Sequence, residues 1–205
     1  EISVDKNSAR GGKVNPILIK RFVPINELLF EGLGLRLGDG IKLQGGKFII
    51  FGFSNTELSL QKKFLEFAKE CFGLDSIKFH ARISVPLRLR DNIKDVEEGI
   101  SKKLNVPLSK FFKPQVLESR NLTFIDVKIS STLLGFIVKK LSEVTLEIML
   151  SSKEFCAAFL RGVIACEGNI ALRRNLKLGE ISIGAKDREE RDFIRVTLHK
   201  LNIIP

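Results

Sequence analysis

Two stretches of this chain share one pattern: Gly34-Leu35-Arg36-Leu37-Gly38-Asp39-Gly40 and Gly162-Val163-Ile164-Ala165-Cys166-Glu167-Gly168. Each is an apolar helical run with small residues four apart, then an acid, then a closing Gly. A hairpin-like segment and a charged amphipathic helix follow each copy. Gly34 and Gly38 lie about one helical turn apart, as do Gly162 and Cys166, so one face of each helix carries almost no side chain. Small residues at i and i+4 let two helix backbones approach closely; the rule is best known for membrane helices, but its geometry is general. Gly40 and Gly168 suit a helix end in the left-handed conformation. Asp39 and Glu167 therefore stand at helix C-termini, where the macrodipole already leaves partial negative charge. A carboxylate there is mildly unfavourable by itself, and a divalent cation reverses the sign.

The chain of 205 residues can bury a substantial core, as one domain or two small ones. No apolar run is long enough for a membrane span, and no signal peptide is expected. The charge is less ordinary: Lys+Arg 34 against Asp+Glu 24 leaves a net +10, the electrostatic footprint of a polyanion binder. Trp and Tyr are absent beside 16 Phe, which removes the aromatics most used for base stacking and disfavours a single-strand binder. Cys71, Cys156 and Cys166 have no metal-binding spacing and lie in apolar helical contexts, so they read as buried free thiols. Free thiols imply a reducing compartment, such as the cytoplasm or an organellar matrix. No Ser/His/Asp signature, phosphate-binding Gly loop or dinucleotide fingerprint is present.

Residues 1–23 read as an N-terminal arm, with a flexible stretch at 7–12 and an extended run at 17–23. Asn26 is a predicted N-cap, with Glu27 in the first turn of a helix through Gly38. Strands are expected at 41–44 and 47–54 around a Gly45-Gly46 turn. A helix opens at Asn55 or Thr56 and runs to Phe72, with Leu60, Phe64, Phe67, Ala68 and Cys71 at core spacing and a stop at Gly73. A strand alternates over 76–89 and is broken or ended at Pro86; a helix follows at 92–104, then a strand at 122–129 and a helix at 131–143. The pattern restarts with a helix at 152–166, strands at 169–174 and 178–185, and a helix at 187–202.

The two glycine-rich helices, each ending in an acid and Gly, resemble the LAGLIDADG homing endonuclease family in its single-chain, two-motif form. The resemblance implies an α+β fold of two pseudo-symmetric αββαββα domains. The first would cover 24–145, with an insertion at 91–120; a linker at 146–151 would lead to the second at 152–205. That second copy has only α-ββ-α, so its C-terminal part is missing from the pattern. An open sheet edge is something natural proteins avoid, so a further polypeptide segment is expected to complete it.

The family's function implies a site-specific double-stranded DNA endonuclease that hydrolyses phosphodiester bonds, acts in intron or intein homing, and recognises a long asymmetric target. Its cofactor is Mg²⁺, two or three divalent ions shared between Asp39 and Glu167, with the backbone at Gly38 and Cys166 nearby. Oxygen ligands of this kind suit Mg²⁺, and such ions serve both the attacking water and the leaving 3′ oxygen. Gly34, Gly38, Gly162 and Cys166 would form the helix interface. A basic residue beside the acids is also implied, and Lys186 is the best candidate, with Asn55 and Thr56 its approximate first-copy counterparts; Lys42, three residues after Asp39, is another candidate. A solvated charge at a strand end gives the same pattern.

DNA contacts would come from outward strand positions, since the major groove accepts a β-ribbon. These are Lys42, Gln44 and Lys47 on the first hairpin, Lys78, His80, Arg82, Arg88 and Arg90 on the third strand, and Arg173, Arg174 and Lys177 on the last hairpin. The alternative is a non-cleaving DNA- or RNA-binding relative, such as an intron maturase or a domesticated regulator. The two retained acids argue against it and the short second copy argues for it.

Overall fold

The structure, a computed structural model, describes residues 1–4, 16–42, 49–172 and 178–204. The elements begin with β1 (Ile2–Val4), β2 (Ile17–Ile19), α1 (Glu27–Asp39), β3 (Gly40–Lys42), β4 (Ile49–Asn55), α2 (Leu58–Phe72) and β5 (His80–Pro86). They continue with α3 (Ile93–Leu104), β6 (Gln115–Leu117), β7 (Phe124–Ile129), α4 (Thr132–Val144), α5 (Leu146–Ser151), α6 (Lys153–Glu167), β8 (Gly168–Leu172), β9 (Leu178–Ile183) and α7 (Arg188–Lys200). The fold class is α+β. Contacts divide the chain into two units: Glu1–Pro24 with Gly40–Lys140, and Ile25–Asp39 with Leu141–Pro205. Among the described residues no helix is long and apolar enough to cross a membrane.

The first unit is built on a five-stranded sheet of order β3-β4-β7-β5-β6. Neighbours are antiparallel except β6, which runs parallel to β5. A parallel neighbour needs a crossover connection, and the inserted segment containing α3 supplies it. The strand period of two sends Phe51 and Phe53, Ala81 and Ile83, and Ile125 and Val127 to one face, where all are buried. Against them α2 sets Phe64, Phe67, Ala68, Cys71 and Phe72, also buried. Phe51 lies 5.2 Å from Phe64 and 5.6 Å from Phe72, and Phe53 stacks on Phe64 at 5.1 Å. Each such ring contributes about 1.5–3 kcal/mol relative to exposure, so this Phe cluster dominates the core. The arm is tied down where Lys20 N–H donates to Phe72 O at 2.9 Å and Lys20 Nζ to Glu70 O at 2.6 Å.

The predicted helix stop at Gly73 is present: its φ is 72° and its N–H donates to Lys69 O at 2.8 Å, a backbone that glycine adopts without penalty. Other boundaries moved. The strand expected over 76–89 is confined to 80–86, with 3₁₀ turns at Ser76–Lys78 and Leu87–Asn92. Its partner β7 faces only His80 to Ser84, and Pro86 has no N–H to extend a ladder. Helix α2 starts at Leu58, because Asn55 stays in β4 opposite Ile125 and its Oδ1 accepts from Glu57 N–H at 2.7 Å.

The second unit is built on α1 and α6. Asn26 caps α1 as predicted, its Oδ1 accepting from Leu29 N–H at 3.0 Å, and Ser152 caps α6 by accepting from Phe155 N–H. Phe30 packs on Phe155 at 4.6 Å, and Phe159 meets Phe193 of α7 at 5.1 Å. Residues 146–151 form the short helix α5, whose Met149 is buried. Strands β8 and β9 make a two-stranded sheet, and among the described residues no third strand pairs with it.

Candidate active site

The glycines explain how the two helices of the second unit meet. A Cβ at Gly34 would lie 2.1 Å from Phe159 O, and one at Gly162 would lie 2.2 Å from Glu31 O. Both obstacles are backbone, so neither position accepts a side chain without the helices separating. One turn further on, a Cβ at Gly38 would lie 2.4 Å from Cys166 Cβ and 3.3 Å from Glu167 Cγ. The small-residue spacing of both copies therefore works as one contact, with the end of α1 held against the end of α6.

Two expectations about those ends are corrected. Gly168 is extended, at φ −79° and ψ 138°, and Gly40 begins β3 opposite Phe53; among the described glycines only Gly73 has a positive φ. The chain leaves each helix directly into a strand, so no left-handed residue is needed. Gly168 is instead demanded by crowding, since a Cβ there would sit 2.3 Å from Ile164 O.

Asp39 is the last residue of α1 and Glu167 the last of α6. Both are half-buried. They share a neighbour in Cys166, whose thiol is pushed up to about 12, first by burial and then by the Asp39 carboxylate, with Glu167 adding to it. A thiol is a soft ligand, so of Cys166 only the carbonyl oxygen suits a hard cation.

Lys186 lies just beyond β9. Its Nζ donates to Gly38 O at 2.9 Å and to Leu37 O at 3.2 Å, and stands 3.7 Å from Glu167 Oε1. The ammonium thus neutralises the open carbonyl end of α1 and pairs with the acid of α6. Gly184 N–H donates to Glu167 O at 3.0 Å, which fixes the strand end carrying Lys186 against the helix end carrying the acid. Lys186 Nζ thus sits among two backbone carbonyls and one carboxylate. Among the described residues no group of three or more His, Cys, Asp or Glu could hold a metal.

At the other end of the helix pair Arg161 Nη2 donates to Glu27 Oε2 at 2.7 Å and lies 3.6 Å from Glu31 Oε2. Sequence reasoning passed over this clamp, because its partners are remote along the chain and nothing local marks them.

The proposed DNA-contacting residues fall into different settings. His80 and Arg82 are in β5, alternating with buried Ala81 and Ile83. Lys78 is in the preceding 3₁₀ turn, where its Nζ donates to Gly73 O at 3.2 Å. Arg88 and Arg90 are in the following 3₁₀ segment, and Arg88 Nη2 donates to Asn121 O at 2.7 Å. Gln44, Lys47, Arg173, Arg174 and Lys177 lie outside the described residues, and Lys42 is described by its backbone alone, in β3.

No protein-family model matches the chain, and no curated protein does. Among solved structures it is similar to I-DmoI in complex with DNA and Mn, at 17% identity and a TM-score of 0.40, covering 87% of this chain and 79% of that one. A substituted I-DmoI with target DNA nicked in the coding strand and Mn gives 18% identity and a TM-score of 0.40, covering 88% and 80%. Both values are low, and the functional reading rests on the residues of this chain.

Proposed function

We propose that this chain is a site-specific, divalent-metal-dependent DNA endonuclease with two LAGLIDADG-like repeats, at 24–145 and 152–205, each contributing one acid. The observation that carries the reading is the glycine contact of α1 with α6, which holds Asp39, Glu167 and Lys186 around the same helix ends. Two carboxylates at helix C-termini are mildly unfavourable by themselves, and a divalent cation reverses the sign. The net charge of +10 suits a polyanionic substrate.

In this reading Asp39 and Glu167 hold Mg²⁺ through their carboxylates, with the carbonyls of Gly38 and Cys166 adding oxygen donors. Bound divalent ions supply charge compensation at the scissile phosphate and make an attacking water more acidic. Lys186 carries a fixed positive charge beside the acids and attracts the phosphate to them. Gly34 and Gly162 set the separation of the acids. With one acid from each repeat, each strand of a duplex would be served by its own carboxylate, which suits cleavage of both strands at an asymmetric target in a homing reaction. The compartment would be a reducing one with access to DNA.

The test is cleavage of a plasmid library carrying a randomised insert, with Mg²⁺ present. Wild type should linearise a subset of plasmids, while Asp39→Asn and Glu167→Gln should not. Both variants should keep or slightly increase their affinity for DNA, because a carboxylate near phosphates repels them without metal. Wild-type cleavage in either variant removes the assignment. Sequence-selective binding without cleavage by wild type would favour the non-cleaving reading.

A further inference from the structure

Arg161 of α6 grips α1 beside the glycine contact. Its Nη2 donates to Glu27 Oε2 at 2.7 Å and lies 3.6 Å from Glu31 Oε2. The two glutamates stand about one helical turn apart, so one planar guanidinium spans a face of α1. Glu27 is exposed, but the Glu31 side chain is only 12% exposed, and a carboxylate so far from water needs a partner. The next residue of α6, Gly162, has the Glu31 carbonyl oxygen 2.2 Å from the place its Cβ would take. Two successive residues of α6 therefore hold one residue of α1, by its side chain and by its backbone.

Gly34 lies against Phe159 and Val163, and Gly38 against Cys166 and Glu167, so the helices run parallel. Like ends of two macrodipoles then lie together, each with a carboxylate, and they repel. Glycine faces set how close the helices come, but they carry no side chains that interlock against a roll of α1 about its own axis. A carboxylate about 5 Å from that axis moves about 2 Å in a roll of about 20°. Misplacing a reacting group by about 1 Å can cost about 100-fold in rate. We infer that Arg161 is a positioning residue that fixes the rotation of α1 against α6 through Glu27 and Glu31, and so keeps Asp39 beside Cys166 and Glu167. This rests on the proposed endonuclease function and deepens it. Glu27 is about 18 Å along the axis from Asp39, so the clamp acts on the site through the helix and not by touching the reacting atoms.

The experiment measures single-turnover cleavage of a target recovered from the plasmid library, at saturating protein and well below the melting temperature. Mg²⁺ affinity without DNA is measured by calorimetry, and duplex affinity without metal by anisotropy. The variants are Arg161→Met, Glu27→Gln and the two combined, with Phe193→Leu as a control that weakens the Phe159–Phe193 contact in the same unit. Arg161→Met should slow cleavage and weaken Mg²⁺ binding, each by about tenfold or more, with duplex affinity unchanged. Glu27→Gln opens only the exposed half of the clamp and should slow cleavage by a smaller factor. The combined variant should be no slower than Arg161→Met, because the pair acts as a unit. Phe193→Leu should lower the melting temperature and keep the wild-type rate and Mg²⁺ affinity. Wild-type rate and Mg²⁺ affinity in Arg161→Met overturn the inference and leave the endonuclease reading intact. So does a control slowed as much as Arg161→Met for the same loss of melting temperature, which would make the clamp merely structural. A fall in duplex affinity with the saturated rate unchanged makes Arg161 a phosphate contact and also overturns it. If Arg161→Met does not fold, a wild-type rate in Glu27→Gln overturns it. Absence of cleavage by wild type overturns both readings.

Discussion

The proposed function puts a divalent ion beside the Lys186 ammonium. That ammonium touches two carbonyls at the end of α1 and faces the Glu167 carboxylate, so part of the cost of a metal-free site is already offset. Lys186→Met should therefore tighten Mg²⁺ binding, by about tenfold from loss of a like charge in a partly exposed site. It should also lower the melting temperature without metal. Calorimetric titration with Mg²⁺ and a melting scan measure both, and unchanged values in each would mean the ammonium is solvated in practice.

Cys71 tests burial in the other unit. Its thiol is pushed up to about 12 from 9.0, chiefly by burial among apolar side chains. An unfolded Cys ionises near its ordinary value, so the folded state binds the extra proton between the two. The associated stabilisation is complete below about 9 and is lost as pH rises toward about 12. Urea titrations across that window should show stability falling, with a shallower fall in Cys71→Ala. Native Cys71 should also resist thiol reagents near neutral pH.

At the scale of elements, the glycines of α1 and α6 are the sharpest determinants. Gly34→Ala and Gly162→Ala push a methyl into backbone at 2.1 and 2.2 Å, and overpacking of this kind costs about 1–3 kcal/mol or more. Gly99, inside α3, meets nothing within 4 Å. There Ala should stabilise by about 0.5–1 kcal/mol through the helix preference alone. Denaturation midpoints should move in opposite directions for the two kinds of substitution. If Gly34→Ala behaves like Gly99→Ala, the helices do not meet at these residues. The strands show why other elements were harder to place. The alternation of Lys78, His80 and Arg82 begins before β5 in sequence, but only residues that find partners on β7 or β6 become strand.

For the whole molecule the net charge of +10 makes one claim on behaviour. Duplex affinity should fall with salt, log K against log salt having a slope of about −0.9 per phosphate neutralised. A flat dependence between low and moderate salt, measured by fluorescence anisotropy, would exclude duplex DNA as the ligand. The sequence by itself determined the repeated helix with its closing acid, the Phe stripe of α2, the cap at Asn26 and the stop at Gly73. Each is written within a few residues, where helical period, cap chemistry and glycine backbone freedom act locally. Only the tertiary structure decided that Gly34 faces Phe159, that Lys186 reaches back to Gly38, and that Arg161 clamps Glu27. Those contacts join residues far apart along the chain. Their geometry depends on how helices and strands pack, and no local periodicity encodes it.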